Sequence, residues 1–138
     1  MNSDHRQKQN TGSNAKPLLL LVEDEEDTAI LVKLIMENEG YDVVHAEDGQ
    51  VALTLIDTLE PPSLVLLDVQ LPHADGVTLL EAMRARPDWR SVPVVMLTAD
   101  GEQRIVLSAL ALGVKDYILK PFVPDTLISR LRHFRIAA

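Results

Sequence analysis

Residues 64–68 read Leu-Val-Leu-Leu-Asp, four apolar side chains with no polar alternation and then a single carboxylate. A run this short, apolar on both faces, reads as a strand buried on both sides of a sheet. Leu18–Val22 repeats the pattern and runs into Glu23-Asp24-Glu25, and residues 93–97 repeat it and run into Thr98. Shorter runs at 43–45 and 117–119 complete a set of five, the last followed by Lys120. Between the runs the spacing predicts helices over about 26–39, 48–59, 76–86, 102–112 and 124–135, the second opened by the turn Glu47-Asp48-Gly49. In the first helix Ala29, Ile30, Val32, Lys33 and Met36 mix core and solvent faces, and Gly40 supplies the stop. Strict alternation of strand and helix implies right-handed crossovers and a parallel sheet covered on both faces, the α/β class. The order of strands is not visible in this pattern.

Composition narrows the function. A chain of 138 residues is about one domain's worth, and 46% apolar residues suffice for a core. No run approaches the roughly 18 apolar residues of a membrane span. Residues 1–16 are polar and Gly/Ser/Asn-rich, which predicts a disordered tail before a domain over 17–138 and excludes a conventional secretory signal within it. Without cysteine there are no disulfides or thiolate metal sites. A net charge of −8 argues against direct nucleic-acid binding by this segment, because neutralising phosphates needs clustered Lys and Arg.

In an open parallel sheet, ligands bind at the carboxyl ends of the strands, so the polar residues there are the informative ones. Glu23, Asp24 and Glu25 follow the first strand, Asp68 the third, Thr98 the fourth and Lys120 the fifth. Each has an ordinary structural explanation: solvated loop acids, a helix or turn cap at Asp68, an N-cap at Thr98, a surface lysine at Lys120. Their joint occurrence at four strand ends is harder to explain that way. Converging carboxylates repel one another unless a cation neutralises them, and oxygen-only ligands favour a hard ion such as Mg2+. Carboxylate, hard cation, hydroxyl and ammonium together are a set for phosphoryl transfer, with Asp68 as nucleophile.

The segments LLLVEDEED, LVLLDVQLPHADG, VPVVMLTAD and ALGVKDYILKPF resemble, in order and spacing, the motifs of the receiver domains of two-component response regulators, including the chemotaxis regulators. The resemblance covers about residues 17–135. It implies a flavodoxin-like (βα)5 three-layer sandwich with a five-stranded parallel sheet of order 2-1-3-4-5. It makes Asp68 the phosphoacceptor, with Glu23, Asp24, Asp68 and the backbone carbonyl of Gln70 holding Mg2+, or Mn2+ in its place. Thr98 and Lys120 would bind the phosphoryl group, and Tyr117 would be the switch aromatic, its alternative being an ordinary strand aromatic. The Lys120–Pro121 bond would be cis at Pro121. The family further implies a cytoplasmic phosphoacceptor switch that catalyses only its own phosphoryl transfer and dephosphorylation. A sensor histidine kinase or histidine phosphotransfer protein would be the donor. The output surface, on the fourth helix, fifth strand and fifth helix, would present Val106, Leu110, Val114 and Tyr117 to a downstream protein target or a second copy of the chain. Whether the chain stands alone or is a receiver excised from a longer regulator or hybrid kinase stays open.

Departures from the pattern also carry information. Glu23 stands where Asp is usual. Val106, Lys115 and Thr126 stand where receivers fused to winged-helix DNA-binding domains carry a base, an acid and an acid, although Asp116 and Arg130 remain. This weakens the DNA-binding subfamily reading. A haloacid-dehalogenase-type phosphatase would also place an Asp after a parallel strand, but it needs a second Asp where Gln70 stands. A degenerate receiver used only as a scaffold fits poorly with the complete set Glu23, Asp24, Asp68, Thr98 and Lys120. His5, His45, His73 and His133 have no partners at metal-ligand spacing and read as surface or strand-end residues, and Trp89 as local packing before the fourth strand.

Overall fold

In the computed structural model, which describes residues 15–69, 71, 75–99 and 101–134, the apolar runs form five strands. These are β1 (Leu18–Val22), β2 (Asp42–Ala46), β3 (Leu64–Asp68), β4 (Val94–Thr98) and β5 (Asp116–Leu119). They pair in parallel in the order β2-β1-β3-β4-β5. The helices between and after them are α1 (Glu26–Asn38), α2 (Gly49–Thr58), α3 (Gly76–Ala85), α4 (Gln103–Ala111) and α5 (Pro124–Leu131). The expected flavodoxin-like order is therefore the observed one. The tail expected over 1–16 lies outside the described residues, apart from positions 15 and 16.

Strand periodicity divides the core in two. Leu18, Leu20, Val22, Val65, Leu67, Val94 and Met96 face α2, α3 and α4, and meet Ala52, Leu55, Ile56, Leu79, Leu80, Met83 and Ala109. Their neighbours Leu19, Leu21, Leu64, Leu66, Val95, Leu97 and Ile118 face α1 and α5, and meet Ala29, Val32, Met36, Leu127 and Leu131. Every residue of β1, β3 and β4 is buried, whereas the edge strands β2 and β5 are only partly so. This explains why the three central runs lack alternation. Each fully buried Leu or Val contributes about 1.5–3 kcal/mol of transfer free energy, which holds the strand ends in a fixed frame.

Several local devices aim the loops at one edge of that frame. Asp48 and Asp75 cap α2 and α3 by accepting from Val51 N (2.9 Å) and Thr78 N (2.8 Å). Glu25 caps α1 through Thr28 N at 2.8 Å. Gly76 opens α3 against the end of β3, where a Cβ would lie 2.9 Å from Asp68 O and 3.2 Å from Val69 O, so no larger residue fits without moving that backbone. At the opposite edge Gly113, at φ +86°, ends α4, its N–H bonding Leu110 O and the next N–H bonding Ala109 O.

Most element ends differ from expectation by one residue, and the end of the last helix, expected at 135, by four. Asp68 and Thr98 are the last residues of their strands rather than the first of the loops, because Val69 N still bonds Leu97 O and Lys120 N bonds Thr98 O. The last helix stops at Leu131 and tightens into a 3-10 turn, Arg132–Phe134.

Candidate functional site

The carboxyl ends of β1, β3, β4 and β5 bring together Glu23, Asp24, Asp68, Thr98 and Lys120. Glu23, Asp24 and Asp68 each offer a carboxylate oxygen, and these oxygens lie within 4.8 Å of one another. Glu23 is fully buried and Asp68 is 6% exposed, while Asp24 faces solvent, so the cluster has a closed floor and an open mouth. Glu23 is held by Glu25 N, which donates to its Oε2 at 3.1 Å, and its carbonyl accepts from His45 Nε2 at 2.7 Å. His45 thus has a strand-end structural role.

Lys120 supplies the counter-charge. Its Nζ lies 2.8 Å from Glu23 Oε1 and 3.4 Å from Asp68 Oδ2. Burial pulls the ammonium's pKa down, but the hydrogen bond it donates to Glu23 and the charge of Asp68 outweigh it and hold it above the usual lysine range. One cation does not balance the acids. Burial first, and then the charge of Glu23, push the Asp68 carboxyl up to about 7 against the pull of Lys120. The cluster therefore carries a deficit of positive charge that a small oxygen-loving cation would fill, and its all-oxygen donor set fits Mg2+. Gln70, expected to add a backbone carbonyl, lies outside the described residues, as does His73. The Lys120–Pro121 peptide is cis.

Thr98, 2% exposed, ends β4 one residue beyond the backbone partner of Asp68. Its hydroxyl is engaged by a residue the sequence reading did not single out. Glu102 Oε1 accepts from Ala99 N at 2.6 Å and from Thr98 Oγ1 at 3.2 Å. The sequence signal, a Glu three and four residues past a strand-end Ala and Thr, is a capping spacing that could have flagged it. Arg84 was also missed. Its guanidinium donates to Leu112 O (2.9 Å), Val92 O (3.0 Å), Trp89 O and Gly113 O, tying the approach to β4 to the end of α4. Nothing in the sequence around Arg84 announces those carbonyls. Trp89 is fully buried in the core on that side.

The expected outward stripe needs correction. Val106 and Val114 are 6% and 5% exposed, because Val106 lies one turn before the fully buried Ala109 and Gly113 turns Val114 inward. The exposed apolar residues on this side are Leu107 (67%), Leu110 (46%), Tyr117 (41%) and Leu119. With Val106 and Ala99 they line a groove that reaches Thr98, so a groove between α4 and β5 replaces the stripe. Asp116 and Arg130 form a bidentate ion pair within the chain, and Arg130 also donates to Tyr117 O at 3.0 Å. His133 lies exposed in the terminal turn.

Comparison with known proteins bears on the family and the fold. The family model of the response regulator receiver domain matches residues 19–132. The chain is 40% identical over 114 residues to the transcriptional regulatory protein CpxR of Escherichia coli, covering 83% of this chain and 47% of the relative. It is 38% identical over 115 residues to the phosphate regulon transcriptional regulatory protein PhoB of the same organism, covering 83% of this chain and 49% of that protein. The chain thus spans about half the length of the curated relatives it matches, and these are transcriptional regulators, against the lean taken from Val106, Lys115 and Thr126. Among solved structures, chemotaxis response regulator CheY4 of Vibrio cholerae superposes with a TM-score of 0.81 at 26% identity, covering 88% of this chain and all of that one. The receiver domain of sensor histidine kinase PA1611 from Pseudomonas aeruginosa, with a magnesium ion coordinated in its active-site cleft, gives 0.78 at 30% identity, covering 87% and 98%. Among the described residues no helix is long and apolar enough to cross a membrane. With its motifs, its strand order and its family match in agreement, the chain belongs to the response regulator receiver family of two-component signalling.

Proposed function

We propose that Asp68 is the phosphoacceptor of a signalling switch. The observation that carries this reading is Asp68 itself, nearly buried among Glu23, Asp24 and Lys120 at the end of a central strand, with its carboxyl pushed up to about 7. A carboxylate in that position is restrained from rotating and lies beside a fixed ammonium. Its oxygen attacks the phosphorus of a phosphohistidine on a sensor kinase or histidine phosphotransfer protein. The new O–P bond forms as the P–N bond breaks, and the imidazole leaves with a proton from water. Glu23, Asp24, Asp68 and the Gln70 carbonyl would hold Mg2+, or Mn2+, which when bound offsets charge on the transferring group. Lys120 neutralises a second phosphoryl oxygen, and Thr98 donates its hydroxyl to a third. Later attack by water on phosphorus restores the carboxylate and releases inorganic phosphate, so the only chemistry is the domain's own phosphorylation and dephosphorylation.

The changed charge at Thr98 and Lys120 reaches the groove of Val106, Leu107, Leu110 and Tyr117, through which the cytoplasmic domain engages a downstream protein or a second copy. Val114 is buried in the core and does not line that groove. A second reading, that this is the receiver half of a transcriptional regulator, is favoured by coverage of only 47–50% of the relatives' length. In that case nucleic acid is bound by the output half and not by this acidic segment.

The test is incubation with acetyl phosphate and Mg2+, followed by intact mass. One phosphate should be gained, and EDTA or Asp24→Asn should abolish the gain. Full phosphorylation in EDTA would contradict the role given to the metal.

A further inference from the structure

A single oxygen, Glu102 Oε1, accepts from the Ala99 amide at 2.6 Å and from the Thr98 hydroxyl at 3.2 Å, the hydroxyl also lying 3.3 Å from Ala99 O. Two convergent donors on one anionic oxygen make a small oxyanion site, and Thr98 is the hydroxyl that the proposed chemistry needs for the phosphoryl group. We propose that Glu102 is a positioning residue that occupies this donor pair in the unphosphorylated protein and must be displaced when Asp68 carries phosphate; the inference rests on the phosphoacceptor reading above.

Three features of the loop support it. Glu102 is the N-cap residue of α4, yet its side chain makes no cap hydrogen bond to that helix, because its carboxylate is turned back to β4. The competing conformation is available chemically, since Glu25, an N-cap glutamate in the same chain, does cap its own helix through Thr28 N. Glu102 also follows Gly101, which sits at φ +95° with nothing within 4 Å of a Cβ position, so the backbone beside it is uncrowded. A dianionic phosphoryl group would compete for the same donors and repel the carboxylate. Released, Glu102 can cap α4 as Glu25 caps α1, and α4 carries the groove residues Val106, Leu107 and Leu110. Occupancy of one hydroxyl is thereby linked to the start of the helix that forms the output groove.

The ordinary alternative is that Glu102 merely caps the turn. In that case its loss loosens the loop and leaves phosphoryl affinity unchanged or weaker. If Glu102 competes for the donors, its loss strengthens that affinity. Beryllofluoride with Mg2+, a non-covalent phosphoryl mimic, is titrated into the wild type, Glu102→Ala and Glu102→Gln, with thermal melting as the folding control. The expected result is binding about tenfold tighter in Glu102→Ala and a smaller gain in Glu102→Gln, which keeps an acceptor but no charge. The Ala99 amide should exchange slowly in the free wild type, rapidly in free Glu102→Ala, and slowly again in both once beryllofluoride is bound. Equal or weaker affinity in folded Glu102→Ala or Glu102→Gln would overturn the proposal. Failure of every protein, wild type included, to bind beryllofluoride would instead overturn the phosphoacceptor reading, and the inference with it.

Discussion

At the scale of single residues, the site is a charge problem solved incompletely by Lys120. Asp68 titrates near 7 in the folded chain and near 3.8 when free, so between those values the folded state retains a proton that the unfolded state has lost. Its contribution to stability therefore falls as pH rises from about 4 to 7 and is flat above. In EDTA, Asp68→Asn should remove that slope, and chemical denaturation at pH 5 and pH 8 should show the variant gaining on the wild type at the higher value. A parallel pH dependence in both proteins would contradict the assigned shift. Lys120→Ala leaves Glu23 buried without its ion-pair partner. It should cost about 2 kcal/mol in EDTA, below the roughly 3–5 of a fully buried pair because Lys120 is partly exposed, and Mg2+ should restore part of the loss. The identities of these residues were legible from sequence because each ends an apolar run. Arg84 was not, since its partners are backbone carbonyls of other loops, whose positions no local pattern encodes, and Glu102, bound to Thr98 and Ala99 in its own loop, was marked only by a capping spacing.

At the scale of elements, the central strands were readable because burial on both faces removes alternation. β2 and β5 extend beyond their apolar runs because their edge positions admit polar residues such as Asp42 and Asp116 into the strand. The sheet order came from resemblance and not from periodicity, because the period-2 pattern records which face is buried and not which neighbour is paired. The outward stripe on α4 failed for a related reason. A helix that is apolar nearly all round does not reveal its rotation, and Ala109, a small residue, marks the face pressed on the core. Two substitutions test how the elements are held. Gly76→Ala drives a methyl to 2.9 Å from Asp68 O and should cost about 1–3 kcal/mol while slowing phosphorylation, as the end of β3 shifts. Arg84→Met keeps the apolar stem but strips the loop carbonyls of their donor, for a loss of about 2 kcal/mol in denaturant unfolding with the phosphoacceptor cluster intact.

For the whole molecule, a rigid two-faced core presents one reactive edge, and a groove between α4 and β5 begins at the Thr98 of that edge. Leu107→Ser with Leu110→Ser should leave folding and phosphorylation unchanged, since both side chains face solvent, and should weaken phosphorylation-dependent association by about tenfold or more. Undiminished association, measured by sedimentation with and without beryllofluoride, would place the output surface elsewhere. All of this depends on one covalent event at one residue. The most direct measurement is to phosphorylate the chain with acetyl phosphate and Mg2+, reduce the acyl phosphate with borohydride, and locate the resulting homoserine by peptide mass spectrometry. Homoserine at position 68, in the wild type and not in Asp68→Asn, is the predicted result. Homoserine at position 24 or 75, or none in protein that has gained a phosphate, would contradict the central assignment.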